Sequence, residues 1–156
     1  AEYTCGTAAV ASGNWPPKIG EFVLNMRTEI FIPFAFSPEL KPGKMGPIFE
    51  MRTYTTNEGK LDALHARFRD HTMKLFTRHG MTHIAYWQPT DEDKGASNKL
   101  IYILAHQSRE AAKKSWAAFV NDPDWKKARD ASEANGKLVE KAEVVFMSAT
   151  DYSPMK

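Results

Sequence analysis

A carboxylate, a guanidinium and a phenol alternate along one short run: Glu50, Arg52 and Tyr54, within Ile48-Phe-Glu-Met-Arg-Thr-Tyr-Thr55. At that spacing in a β-strand they share a face. The carboxylate can pair with the guanidinium, or the guanidinium can hold an anionic ligand in a two-pronged contact. If Phe49 and Met51 pack beneath covering helices, the three polar residues point to the uncovered face of the sheet. There they form a ligand site or an ion pair inside a subunit interface. His71 lies between Phe68 and Leu75 on the apolar side of a helical stretch. An imidazole there can accept a proton or touch a ligand, or it can be held by structural hydrogen bonds. His71, Arg52 and Tyr54 are the catalytic candidates, His71 as base and the other two orienting a substrate. Trp87, Tyr102 and Trp116 offer large apolar rings with polar handles, suited to a hydrophobic small molecule; Trp116 is first of all a core residue. With His106 at a strand end, the candidate ligand-binding set is Glu50, Arg52, Tyr54, His71, Trp87, Tyr102 and His106.

Several chemistries find no support. Cys5 is the one cysteine, so an intrachain disulfide framework and a multi-cysteine zinc site are excluded. No His-x-x-x-His pair or carboxylate triad appears, and His71 and His79 stand too far apart on a helix to share a metal. Haem held through one histidine is a minor alternative to having no cofactor. No serine lies in a Gly-x-Ser-x-Gly turn, and the 9 glycines are scattered rather than gathered in a phosphate-binding loop. The net charge of +2, with both signs mixed along the chain, argues against a nucleic-acid partner. No apolar run approaches the roughly 20 residues that span a bilayer.

The elements that must position these residues follow from the punctuation. With 156 residues, 42% apolar and 26% charged, the chain has the composition of one soluble globular domain. Proline and glycine make Ser37–Pro47 a linker, dividing an N-terminal arm (1–46) from a main domain (47–156). In the main domain, strands are expected at Ile48–Thr55, Thr82–Gln88, Lys99–His106 and Ala142–Ala149. A helix is expected over about Lys60–His79, closed by Gly80. A second starts at the N-cap Ser108 and is broken and restarted at Asp122-Pro123-Asp124. The order β-α-β-β-α-β is the split arrangement of ferredoxin-like α+β folds. Both helices cover one sheet face, and a second copy of the chain is the economical cover for the other. The stretch Ile30–Lys41 also echoes the tail Phe146–Lys156, each an apolar strand followed by aromatic-Ser-Pro. Residues 1–41 therefore read as the end of a degenerate first repeat, with Thr28–Phe36 adding an edge strand in this chain or a partner. Ala1 without a preceding Met leaves an export signal open.

The ordered series Ile48-Phe-Glu-Met-Arg-Thr-Tyr-Thr, Gly59-Lys-Leu61, Phe68-Arg-Asp-His71, His79-Gly-Met81, Ala85-Tyr-Trp87, Asn98-Lys-Leu100 and Asp122-Pro-Asp-Trp125 resembles the NIPSNAP family. The resemblance covers about residues 47–156. It implies a homodimeric α/β barrel of ferredoxin-like domains, an architecture also used by cofactor-free monooxygenases and some haem proteins. It leans towards an intracellular or organellar setting and implies no common reaction. The expectation is a dimeric binding module for a small apolar or anionic ligand or a protein, rather than a catalyst. A small oxygenase-like or isomerase-like enzyme using the barrel cavity is the alternative.

Overall fold

The computed structural model of the chain describes residues 29–155. The readings of Ala1 and Cys5, and the earlier part of the expected repeat over residues 1–41, lie outside them. Segments rich in aromatic and β-branched residues, which suit a pleated packing surface, form the strands. These are β1 (Phe31–Pro33), β2 (Ile48–Thr56), β3 (Thr82–Pro89), β4 (Lys99–His106) and β5 (Val139–Ser148). They make one sheet in the order β1-β3-β4-β2-β5, each neighbouring pair antiparallel. The helical segments are α1 (Leu61–Arg67), a π-helical turn (Phe68–Thr72), α2 (Met73–Arg78), α3 (Arg109–Asn121) and α4 (Pro123–Ser132). The architecture is the ferredoxin-like α+β fold, with β1 added at the edge of the same chain.

Local chemistry sets the boundaries. Gly80 adopts φ +74, which lets the Gly80 and Met81 amides bond back to the carbonyls of Thr77 and Phe76 and close α2. Ser108 caps α3 by accepting from the Ala111 amide at 3.0 Å. Asp122 caps α4 by accepting from the Asp124 amide at 2.8 Å, with Pro123 in the first turn. The single helix expected over Lys60–His79 is interrupted instead. In the π-turn the Met73 amide reaches back to the Phe68 carbonyl, and the Thr72 hydroxyl donates to the Arg67 carbonyl at 3.1 Å. This wider turn re-phases the helix, so Phe68, Thr72, Leu75 and Phe76 are all buried.

The main core lies between sheet and helices and includes Leu64, Phe68, Phe76, Tyr86, Tyr102, Leu104 and Phe119. The opposite face is partly covered by the chain itself. Met45, Met147 and Met155 pack over Phe49, Ile84 and Ala105, and Gly43 meets the returning tail at Met155. Gly46 has φ +129, and a Cβ there would stand 2.6 Å from the His106 carbonyl oxygen, so only glycine lets the linker pass. The two aromatic-Ser-Pro exits take the same turn: Ser37 N–H donates to Phe34 O at 2.8 Å, and Ser153 N–H to Thr150 O at 3.0 Å.

Candidate functional site

The strand parity of the Glu50 run is the reverse of the expectation. Phe49 and Met51 lie on the helix-free face, in register with Ala105 and Ile103 of β4. Glu50, Arg52 and Tyr54 point under the helices. The physical reason is that the polar side chains satisfy one another there, which removes the penalty that normally keeps charge out of a core, while the methionines of linker, tail and β5 supply an apolar cover for Phe49.

Glu50, with a solvent exposure of 0%, is the hub. Its Oε1 accepts from Arg52 Nε at 2.7 Å. Its Oε2 accepts from the Trp116 indole N–H at 2.7 Å and from His106 Nε2 at 2.9 Å. Because a carboxylate only accepts, the His106 proton resides on Nε2. Burial works against the Glu50 charge, but His106, Trp116 and Arg52 outweigh it and hold its carboxyl below the ordinary range. The Arg52 guanidinium lies 3.6 Å from the centroid of the Trp116 ring, a cation–π contact that fixes its plane. Arg52 Nη1 reaches the Tyr54 hydroxyl at 3.4 Å, and Tyr102 donates to the same oxygen at 2.9 Å. Burial pushes the Tyr102 phenol well above its usual pKa.

Arg52 meets solvent, with 18% of its side chain exposed. It opens into a groove of about 510 Å³ between β5 and α3. Val144 and Phe146 of β5 give the groove an apolar floor; Arg109, Glu110 and Lys113 of α3 form its rim. The Arg109 guanidinium lies 4.0 Å from the Phe146 ring centroid. The arrangement can hold an apolar body on Val144 and Phe146 and an anionic group against a guanidinium that is already oriented.

The structure therefore brings together Glu50, Arg52, Tyr54, Tyr102 and His106, and separates the other two candidates. His71 is exposed and lines a groove of about 430 Å³ with Asp70, Lys74, Arg78 and Asp124 on the outer helical surface. Its place on the exposed side of the π-turn corrects the expectation of an apolar-side histidine, and no geometry joins it to Arg52 and Tyr54 as a base. Trp87 sits on the helix-free face, in register with Ile101 and Pro33. Sequence reasoning kept Trp116 for the core and overlooked Arg109, Lys113, Val144 and Phe146. The spacing of 109, 113 and 116 on one helical face, and the shared parity of 144 and 146, are the signals that mark them.

The remaining histidines have separate structural partners. His79 Nε2 bonds Asp122 at 2.8 Å. His83 Nε2 donates to the Met73 carbonyl at 3.1 Å while Nδ1 accepts from the buried Tyr86 hydroxyl. His65 packs against Phe34 of the arm in a tilted ring contact, with centroids 4.1 Å apart. Among the described residues no cluster of three or more His, Cys, Asp or Glu could hold a metal ion, and no helix is long and apolar enough to cross a membrane. A further concavity of about 530 Å³ is lined by Lys44, Ile48, Gln107 and Ser148 beside the linker and holds none of the clustered groups.

The NIPSNAP family model matches residues 49–154. No curated protein matches the chain. Among solved structures, a NIPSNAP family protein of unknown function from Agrobacterium tumefaciens is 23% identical, with TM-score 0.59 over 70% of this chain and 94% of its own. A second NIPSNAP family protein from the same organism is 21% identical, with TM-score 0.59 over 70% and 90%. An uncharacterized NIPSNAP domain protein from Burkholderia xenovorans is 20% identical, with TM-score 0.58 over 69% and 98%. At these identities the likeness speaks to the fold.

Proposed function

The chain belongs to the NIPSNAP family, and we propose that it is a binding module for a small organic acid with an apolar body, taken in the groove between β5 and α3. The observation that carries this reading is the state of Arg52. Glu50 fixes its Nε and Trp116 fixes its plane, so little ordering remains to be done when an anion arrives. Arg109 and Lys113 on the rim add positive potential, and Val144 and Phe146 supply apolar contact.

The working unit in this reading is a homodimer through the helix-free sheet face. Val145, Met51, Ile103 and Ala85 form an apolar row across β5, β2, β4 and β3 beside the methionine cover, and Val145 is 48% exposed in the single chain. A second copy would remove the exposed part of that row, Val145 above all, from water. The alternative with His71 as catalytic base lacks its motivating convergence.

Calorimetric titration with 2-naphthoate and its neutral amide tests the groove. The acid is expected to bind about tenfold more tightly than the amide, the effect of one charge-assisted contact. The variant R109Q/K113Q, changed only on the exposed rim of α3, is expected to narrow that difference. Equal binding of acid and amide would overturn the proposal.

A further inference from the structure

A second, smaller space lies beyond Tyr54 on the same side of the sheet. It measures about 190 Å³ and is walled by Phe68, Phe76, Phe119 and Trp125, with Tyr54, Arg67 and Thr72 as polar members, the Thr72 hydroxyl already donating to the Arg67 carbonyl. It opens beneath the β5 edge at the exposed residue Ala142. Arg67 is buried, with 4% of its side chain exposed, and stands where α1 passes into the π-turn. Its Nη1 donates to Glu133 at 3.0 Å and to Ser132 at 3.2 Å, and its guanidinium lies 5.2 Å from the Trp125 ring centroid. Its Nε, by contrast, is a buried donor with no hydrogen-bond partner among the described residues. Such a donor is costly to leave unpaired.

From the cavity and this donor together, we infer that the space is a second binding site, for a compact aromatic or alicyclic molecule carrying an uncharged acceptor such as a ketone or ester carbonyl. The walls select the apolar ring: a cavity of about 150 Å³ lined by apolar side chains already accommodates benzene. Glu133 selects the acceptor. Glu133, with 25% of its side chain exposed, already balances the Arg67 charge, so an entering carboxylate would be a buried negative charge with no cation left to balance it, whereas a carbonyl oxygen satisfies the Nε–H without adding one. Tyr54 is a second available donor, because its oxygen accepts from Arg52 and Tyr102 while its own hydrogen meets no acceptor among the described residues. The site is distinct from the groove in occupant and in mouth: the groove takes an anion past Arg109 and Lys113, the cavity a neutral molecule past Ala142.

The test is NMR titration of the full chain with acetophenone, ethylbenzene and benzoate, following the Trp125 indole N–H. Acetophenone is expected to shift that signal saturably and to bind about tenfold more tightly than ethylbenzene, which has the ring without the acceptor; benzoate is expected to bind more weakly than acetophenone. A142W, which blocks the mouth from an exposed edge position, is expected to abolish the shift while the spectrum stays folded. R67K keeps a cation for Glu133 but removes the Nε–H, and is expected to reduce acetophenone to the affinity of ethylbenzene. If R67K fails to fold, the ketone-to-hydrocarbon ratio in the wild type and the A142W result still decide. Equal affinity for acetophenone and ethylbenzene, a shift that survives A142W, or tightest binding by benzoate would each overturn the inference.

Discussion

Glu50 is held by Arg52, His106 and Trp116 from one strand, its neighbour and a helix, so its environment is a test of how the polar cluster is stabilised. Replacing Trp116 with Phe removes one donor from a buried carboxylate. The expected loss is about 2 kcal/mol, read from urea unfolding at neutral pH. The same change frees Arg52 from its aromatic support, so naphthoate binding should weaken with it. Titration gives a second residue-scale expectation. Burial pushes the pKa of His65 and of His83 down from 6.5. The unfolded chain therefore binds more protons, and their contribution to stability is lost as pH falls from about 6.5 through the folded values. Asp122 acts in the same direction at more acid pH. Hydrogen bonding to His79, then to the Asp124 amide and Arg78, overcomes partial burial and lowers its pKa to about 2, so its contribution holds above the ordinary carboxylate value and disappears below it. The urea midpoint should accordingly be lower at about pH 5.5 than at about pH 7.5; a higher midpoint at the acid value would contradict the neutral, half-buried assignment of His65 and His83.

At the scale of elements, the caps carry the boundaries. Ser108→Ala should cost about 1 kcal/mol through loss of one amide acceptor. Asp122→Ala should cost more, because Asp122 also holds Arg78 at 3.1 Å and His79 at 2.8 Å, tying α2 to α4. Thermal melts of the two variants side by side check the order. The Ser108 cap was legible in the sequence and the second was narrowed to Asp122 or Asp124; the bounds of β4, the glycine closing α2 and an edge strand from the arm were legible too, since each rests on chemistry within a few residues. The parity of β2 was not. Alternation shows that two faces differ, but it does not say which is inside when the polar set can satisfy itself and the apolar set finds methionines elsewhere in the chain. The π-turn was hidden for a related reason: Phe68, Leu75 and Phe76 fit an unbroken helix nearly as well as an interrupted one. His71 was misplaced as a consequence.

For the whole molecule, the ferredoxin-like order and the family were legible because they depend on the sequence of elements and on an ordered series of short motifs. The groove was not, because it is assembled from β2, α3 and β5 through long-range pairing, and its rim residues Arg109 and Lys113 look in isolation like ordinary solvated charges on a helix. The methionine cover also changes how much of the sheet a second copy must bury, confining the proposed contact to the row through Met51 and Ile103. The most direct test of the account is native mass spectrometry of the protein purified gently from its own host. The account predicts twice the chain mass with a reproducible organic-acid adduct, and loss of that adduct in R109Q/K113Q while the dimer mass persists. A monomer mass carrying no adduct would contradict it.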